Sequence, residues 1–578
     1  MPLVDELHDV GVAPGSLVAL VIAPGLGLAL AWENGRRVLP SPHPEGLVRE
    51  LSALDPRWVW WSAWETAGPL IAADVRPRTC WDLGAVGRLA YGIRRGDPGA
   101  IWAAARGLPE PAPIGRGLDL LDLDSAGTGP IRPDGQLSRE WQAGGWSSEL
   151  PAALQWARLA LAVQNAQETL LRSLPDPRAT PGEPPLALLT ARSESAAALL
   201  AVELEHDGLP VDRASAARLL GELVGPRPAN ATEHVEQRRR RDQIVLRQFP
   251  GLPVDLRNPL HVRGLLTRIG LDLPDTRSWR LEPHRTTSPA VAALLAWRKA
   301  ERLATTYGWG WLDGHVGNDG RLRGRWGAAD AAAGRMTAQA GLHNLPASLR
   351  AAVRAEPGWT FVRADLGQVE PRVLAAVCGD EGLMLAARAD DLYAPVAAQL
   401  GCDRPTAKVA VLAAMYGQTS GVAGVALRDM DRTYPRAMAY LRAAEAAGVA
   451  GTDVRTYGGR LLRLTAVPAP AGVAADWEVP GPVRANGRFA RNAVVQGAAA
   501  ELFKAWAATV RDGLPSLGGQ VVLCLHDELL LHVPMSCADE AAALLLGSLA
   551  TTARWWAAGS RVRFVAEVSV ATSWADAH

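Results

Sequence analysis

The sequence predicts a multidomain chain of α/β and α+β architecture. Three observations carry this. The chain has 578 residues, a length that suits about three or four domains. Its first third alternates short apolar runs with helical stretches, the pattern of an α/β layer. Its last part sets two apolar strand runs, each leading into carboxylates, among long helical patterns. Composition agrees: 48% of residues are hydrophobic and 21% charged, ordinary globular values that exclude whole-chain disorder. Sixty basic and 60 acidic side chains cancel, which excludes only a uniformly basic chain. Lysine occurs only at Lys299, Lys408 and Lys504, and every other basic side chain is arginine. That bias fits GC-rich coding, and it makes a lysine inside a motif worth attention.

Residues 1–173 carry the runs LVALVIA, LALAW and WVWWSA and a helical stretch from Leu154 to Leu171. Ser16 to Trp32 is uncharged, but Pro24, Gly25 and Gly27 interrupt it. It therefore reads as strand, turn, strand and not as a membrane span. The acidic start MPLVDELHDV is unlike a signal peptide. Cys80, Cys378, Cys402, Cys524 and Cys537 form no C-x-x-C pair, which fits a reducing cytoplasm and argues against a zinc ribbon or disulfide scaffold. Gly107 to Gly135 is a Pro/Gly-rich loop, and residues 174–189, with LPDPRATPGEPP, are a linker. Residues 190–330 are mostly helical by periodicity. Their run Arg238 to Arg241 is either a solvated helix face or a phosphate-contacting patch. No solenoid-type repeat is visible.

The chemistry lies beyond residue 330. A mostly apolar strand, Trp359 to Ala364, ends in Asp365 and is followed by a helical pattern. An Asp at that place is either a helix cap or a carboxylate held on rigid backbone at a cleft. A second apolar run, Val521 to Leu525, leads through His526, Asp527 and Glu528 into Leu529 to Val533. This reads as a hairpin with an acidic tip. If the hairpin lies beside the first strand, Asp365 and Asp527 converge, and divalent cations relieve their repulsion. Hard oxygen ligands suit Mg²⁺, and a pair of such ions supports in-line displacement at phosphorus.

Between them lies DRPTAKVAVLAAMYGQTSG. Arg404, Lys408, Leu412 and Tyr416 recur every four residues and share one helical stripe. Two cations one turn apart can grip a polyphosphate. An apolar side chain and a Tyr follow, suited to a sugar and a base. Gly417 is placed to end the helix. An ordinary amphipathic helix has the same spacing.

The order AD-x-x-Q-x-E-x-R, R-x₃-K-x₃-L-x₂-MYG, Q-G-x-x-A-E and HDE resembles the family A DNA polymerases, the bacterial DNA polymerase I type, most of all their actinobacterial branch. The likeness covers about residues 190–578, with a weaker one upstream. It implies a right-hand polymerase fold. Residues 190–330 would be the thumb, 331–380 and 501–578 the palm, and 381–500 the fingers. A ribonuclease H-like exonuclease-type domain would precede them. Carried over, Asp365 and Asp527 would bind two Mg²⁺ ions, with Glu528 and His526 completing the hairpin tip. Glu370 would be the gate against a ribose 2′-hydroxyl. Arg404 and Lys408 would hold the dNTP triphosphate, with Leu412 and Tyr416 beside the sugar and base. GRMTAQAGLHNLP assigns Arg335 and Asn344 to the primer–template, and NAVVQG adds Asn492 and Gln496, with Arg488 one turn earlier. TYGGRLLRL resembles the family's T-x-x-G-R segment in the fingers. The implied partners are primer–template DNA and dNTPs, with no membrane, and the chain would be a monomer in the cytoplasm at the nucleoid.

The sequence also departs from the family. Leu412 replaces an aromatic residue, Ala413 a Gly, and Leu366–Gly367 a Tyr-Ser pair. The N-terminal domain lacks the D-x-E of a 3′–5′ exonuclease on its first strand. Trp156 and Ala160 stand where Y-x-x-x-D is expected, and Asp82 is placed to cap a helix. Proofreading is thus expected to be lost, and no 5′-nuclease domain is expected ahead of this region. Two other readings use the same residues. One is a single-subunit RNA polymerase, against which Glu370 speaks. The other is a non-catalytic DNA-binding protein that kept the fold.

Overall fold

The computed structural model describes residues 2–114, 129–250, 254–329, 333–417, 422–464 and 481–577. The middle of the loop expected at Gly107–Gly135, residues 115–128, lies outside them. The chain forms two units. One comprises Met1–Asp207, Arg325–Thr337 and Thr360–Val570; the other comprises Gly208–Gly324, Ala338–Trp359 and Ala571–His578.

In the first unit, period-2 apolar runs build a five-stranded sheet. Its order is Gly35–Pro40, Gly27–Trp32, Leu17–Ala23, Arg57–Trp60, Thr79–Asp82. The first three strands are antiparallel; the last two run parallel to Leu17–Ala23. Alternate residues feed two cores, as side chains on a strand must. Val18, Leu20, Leu28, Leu30, Trp58 and Trp60 enter one core. Ala19, Val21, Ala29, Ala31, Val59 and Trp81 enter the other, beneath the long helix Leu150–Ser173. The edge strand Gly35–Pro40 was not legible in the sequence: it is short, and two of its six residues are arginines.

A second sheet has the order Gln520–Leu525, Glu528–Pro534, Trp359–Leu366, Ala566–Ala571. The 33-residue helix Gly481–Gly513 packs against Pro435–Ala450, Leu186–Asp207 and Ala538–Trp556. Helix Leu186–Asp207 starts inside the segment expected to be a linker and belongs to the first unit. Its face is buried against the N-terminal domain and the long helix, so a boundary at residue 190 would cut a packed element.

The second unit is mostly helical. Its core joins Val245, Val262, Leu266, Val291, Leu294 and Trp297 from successive helices. The arginine run lies on helix Ala231–Leu246. Arg238, Arg239 and Arg240 are exposed; Arg241 instead pairs with Glu301 at 3.1 Å. Among the described residues, no helix is long and apolar enough to cross a membrane.

Candidate active site

Asp365 lies within strand Trp359–Leu366, one residue before its end, and is not a helix cap. The following helix, Val369–Cys378, is capped instead at Gln368, whose φ is 55°. The hairpin is tighter than the sequence suggested: Glu528 already pairs with Leu525, which leaves His526 and Asp527 as the tip. His526 takes a left-handed φ of 54°, the conformation that two-residue hairpin tips require. The Leu366 N–H donates to the Asp527 carbonyl at 3.0 Å. That backbone bond brings the two strand ends, and with them Asp365 and Asp527, to one edge of the sheet.

The electrostatics follow from this convergence. Burial and then the Asp527 carboxylate push the Asp365 carboxyl up to about 6, while Arg363 pulls it down. Burial likewise pushes Asp527 up. Two half-buried carboxylates that resist ionisation side by side are an oxygen donor set short of positive charge. Among the described residues, no cluster of three or more His, Cys, Asp or Glu is poised for a metal. Two carboxylates nevertheless suit Mg²⁺, which is commonly held by one or two protein carboxylates with substrate phosphates completing its shell.

Arg363 carries a cation into this edge. Period 2 along the strand puts it on the Asp365 face. It donates to Asp365 Oδ2 at 2.7 Å and pairs with Glu528 Oε1 at 3.0 Å. Glu528 is therefore committed to an ion pair. The alternation was readable, but no motif drew attention to Arg363.

A cavity of about 270 Å³ adjoins the carboxylates. Arg335, Glu370, Leu412, His526 and Asp527 line it, together with Tyr393 and Phe503. Helix Arg404–Tyr416 borders it. Asp403 caps that helix by accepting from the Thr406 N–H at 2.8 Å, and Gly417 ends it at a φ of 67°. Tyr416 donates to Glu370 Oε2 at 3.1 Å, and Arg335 pairs with the other Glu370 oxygen. Glu370 is thus fixed from two sides as a wall of the cavity. Arg404 pairs with Asp391 at 2.6 Å, whereas Lys408 is exposed on the same stripe. Gln368 bridges to Asp391 at 2.8 Å and accepts the Leu392 N–H at 2.7 Å, so it holds the loop that anchors Arg404. Gln368 stood in the quoted motif, but its role depends on a loop more than 20 residues away and was not legible.

Helix Gly481–Gly513 contributes the remaining candidates. A Cβ on Gly417 would touch Arg488 Cγ at 3.5 Å, so Arg488 lies at the end of the basic helix. Gln496 hydrogen-bonds to Tyr416. The Asn492 Oδ1 is buried and has no hydrogen-bond partner among the described residues. Asn344 is exposed and belongs to the second unit.

The place expected for a nuclease site is apolar. Ala19, Val21 and Ala23 of the first strand share a core with Trp156 and Ala160. Trp156 stacks on Trp61 at 4.5 Å and on Trp146 at 6.1 Å. Asp82 caps helix Leu83–Tyr91 by accepting from the Ala85 N–H at 2.7 Å. It also accepts from the Ala63 N–H.

Comparisons with known proteins bear on the family and the fold. A family model described as DNA polymerase family A matches residues 267–576. A thermostable DNA polymerase I of Thermus filiformis is 30% identical over 303 residues, which are 47% of this chain and 35% of that protein. DNA polymerase I of Chloroflexus aurantiacus is 31% identical over 280 residues, 44% of this chain and 30% of that protein. The chain therefore spans about a third of the length of these relatives. Among solved structures, the POL domain of Pol1 from M. smegmatis, in complex with DNA primer-template and dNTP, aligns with a TM-score of 0.68 at 20% identity. The alignment covers 100% of this chain and 98% of that one. The likeness shows that the chain has the polymerase-domain fold.

Proposed function

The chain belongs to DNA polymerase family A, and we propose that it adds dNTPs to the 3′-hydroxyl of a primer on a DNA template. The observation that carries this reading is the convergence of Asp365 and Asp527 beside a cavity walled by Glu370, Leu412 and the basic helix. Asp365 and Asp527 would hold two Mg²⁺ ions; when bound, such ions acidify the primer hydroxyl and offset charge on the phosphates. Lys408 and Arg404 grip the triphosphate, and Arg404 exchanges Asp391 for phosphate oxygens. Glu370, held by Arg335 and Tyr416, fills the space that a ribose 2′-hydroxyl would need. Asn492 and Gln496, with Arg488, reach the minor groove, where every correct pair presents an acceptor at the same place. Arg335 supports Glu370 on one side, and Asn344 contacts the primer–template. His526 is held below its ordinary pKa by burial and by Arg335, so it is neutral at pH 7. The protein would act as a monomer in the cytoplasm at the nucleoid, in repair or gap filling.

Primer extension with dNTPs and with rNTPs tests this. Extension by dNTPs alone supports it, and equal use of both would favour an RNA polymerase. One observation favours a second reading, a catalytically weak DNA binder: Arg363 already supplies positive charge to Asp365 and Glu528. Background synthesis equal to that of an Asp527→Ala variant would establish the binder.

The Asp365 carboxyl gives a pH prediction. Its folded value is raised to about 6, so the metal-free protein takes up a proton as pH falls through 6. A divalent ion must displace that proton. Mn²⁺ affinity should therefore be flat above pH 7 and fall about tenfold per unit well below pH 6. Calorimetric Mn²⁺ titration between pH 5 and 8 reads this directly.

Leu412 lacks the ring that packs a sugar in the family. Leu412→Tyr should change dideoxynucleotide incorporation relative to deoxynucleotide incorporation by about fivefold, since a ring contact is worth about 1 kcal/mol. An unchanged ratio would refute this role.

Proofreading is absent on this reading, because the first strand offers no oxygen donor and tryptophans fill the space. A 3′-labelled primer incubated with protein, Mg²⁺ and no dNTP should stay intact. Asp82→Ala should lower stability by about 1–2 kcal/mol through loss of the cap. Metal-dependent release of the label by wild type, lost in Asp82→Ala, would overturn the assignment.

A further inference from the structure

The first unit holds another cavity, of about 640 Å³, that shares no lining residue with the candidate active site. This volume suits a small organic ligand and far exceeds that of a simple ion. Arg57 comes from the N-terminal sheet, Leu189 and Arg192 from helix Leu186–Asp207, and Trp555 from helix Ala538–Trp556.

Arg57 and Arg192 are the unusual pair. Burial lowers the pKa of both, and Arg192 lowers that of Arg57 further. Arg57 donates to the Cys80 carbonyl at 3.3 Å. The Arg192 Nε is buried without a hydrogen-bond partner among the described residues. Most of the nearby carboxylates are already used. Asp55 and Asp512 hold Arg78 at 2.6 and 2.7 Å, and Glu203 holds Arg511 at 2.6 Å. Glu168, which attracts both arginines, is bound to Arg172 at 2.7 Å. Glu183 is largely exposed and lies 3.7 Å from Arg172. Both arginines are half-buried, and charges partly withdrawn from water are normally paired, so two such guanidiniums at one cavity suit an anion. A planar fork suits phosphate oxygens. The rest of the wall is mainly apolar and includes Leu186, Leu189 and the half-exposed Trp555, which offers a stacking face.

We propose that this cavity binds a mononucleotide-class anion, with its phosphate on Arg57 and Arg192 and its flat base against the wall that carries Leu189 and Trp555. The site is separate from the polymerisation reading and does not depend on it.

Calorimetry on the full chain with dAMP, deoxyadenosine and inorganic phosphate tests the proposal. dAMP should bind at least about tenfold more tightly than phosphate, and deoxyadenosine should not bind measurably. Arg192→Gln should weaken dAMP at least about tenfold, the scale of one lost charge-assisted bond. Trp555→Leu should bring dAMP down to the level of phosphate. Lys408→Ala should change none of these, which separates this cavity from the active site. Unaltered melting must accompany each variant; where Arg192→Gln melts early, Arg57→Gln serves in its place. Equal affinities for dAMP and phosphate, dAMP binding indifferent to both arginine variants, or binding lost in Lys408→Ala would overturn the proposal.

Discussion

Asp527→Ala is expected to lower primer extension by about a thousandfold or more while leaving the protein folded and no less stable. The loss follows from the chemistry. Removing one of two carboxylates that hold the metals forfeits several kcal/mol of transition-state stabilisation, and about 4 kcal/mol corresponds to a thousandfold in rate. Stability should move the other way. Burial pushes the Asp527 carboxyl above its ordinary value, so its ionised form is disfavoured in the folded state at pH 7, and stability falls as pH rises through that window. Alanine removes that burden. The contact that sets the hairpin tip is the Asp527 backbone carbonyl, which accepts from Leu366 and survives the substitution. Single-turnover extension measured beside thermal melting checks both halves. An undiminished rate would rule out the polymerisation reading, and a fall in melting temperature would mean that Asp527 serves the fold.

Where one short motif fixed a residue's place on a strand, tip or helix, that place was legible in the sequence. Asp365, Asp527, Glu370 and Leu412 each stand at a strand end, hairpin tip or helix face that local pattern places, and the fold brings them around one edge and cavity. The N-terminal sheet was half legible. Strong apolar runs announced its central strands, whereas the Arg-containing edge strand Gly35–Pro40 gave no period-2 signal. Contacts between distant segments were hidden. Nothing local says that Gln368 meets Asp391 or that Arg363 meets Glu528. The three lysines show the same limit. Lys408 drew attention because it sits in a motif stripe. Lys504 reads as one more polar residue on a long helix, yet it is completely buried.

Lys504 underlies the second large effect: Glu194→Ala is expected to destabilise the protein by about 3–5 kcal/mol. Glu194 is fully buried on helix Leu186–Asp207. It pairs with Lys504 of helix Gly481–Gly513 and, at 2.6 Å, with Arg460. Burial alone would raise its carboxyl, but Arg460 and Lys504 outweigh that and hold it below the ordinary range. Alanine would strand two cations in the interior. The other carboxyl there, Glu501, is pushed up to about 7 by burial and already accepts from Thr456 and the Gly458 N–H, so it compensates poorly. Denaturant unfolding measures the loss. A double variant, Glu194→Leu with Lys504→Met, should cost less than the sum of the two single changes, because Lys504 is then no longer left as a buried orphan and Arg460 alone is. Strict additivity would show that the pair is uncoupled. The network also reaches the chemistry. Lys504 donates to the Gly334 carbonyl at 2.7 Å, and the next residue, Arg335, holds Glu370. Gly334 has a φ of 82°, and a Cβ there would strike the Arg460 guanidinium, so this loop can close over the network only as glycine. Lys504→Met should therefore weaken discrimination against rNTPs, which primer extension reads, in addition to lowering stability.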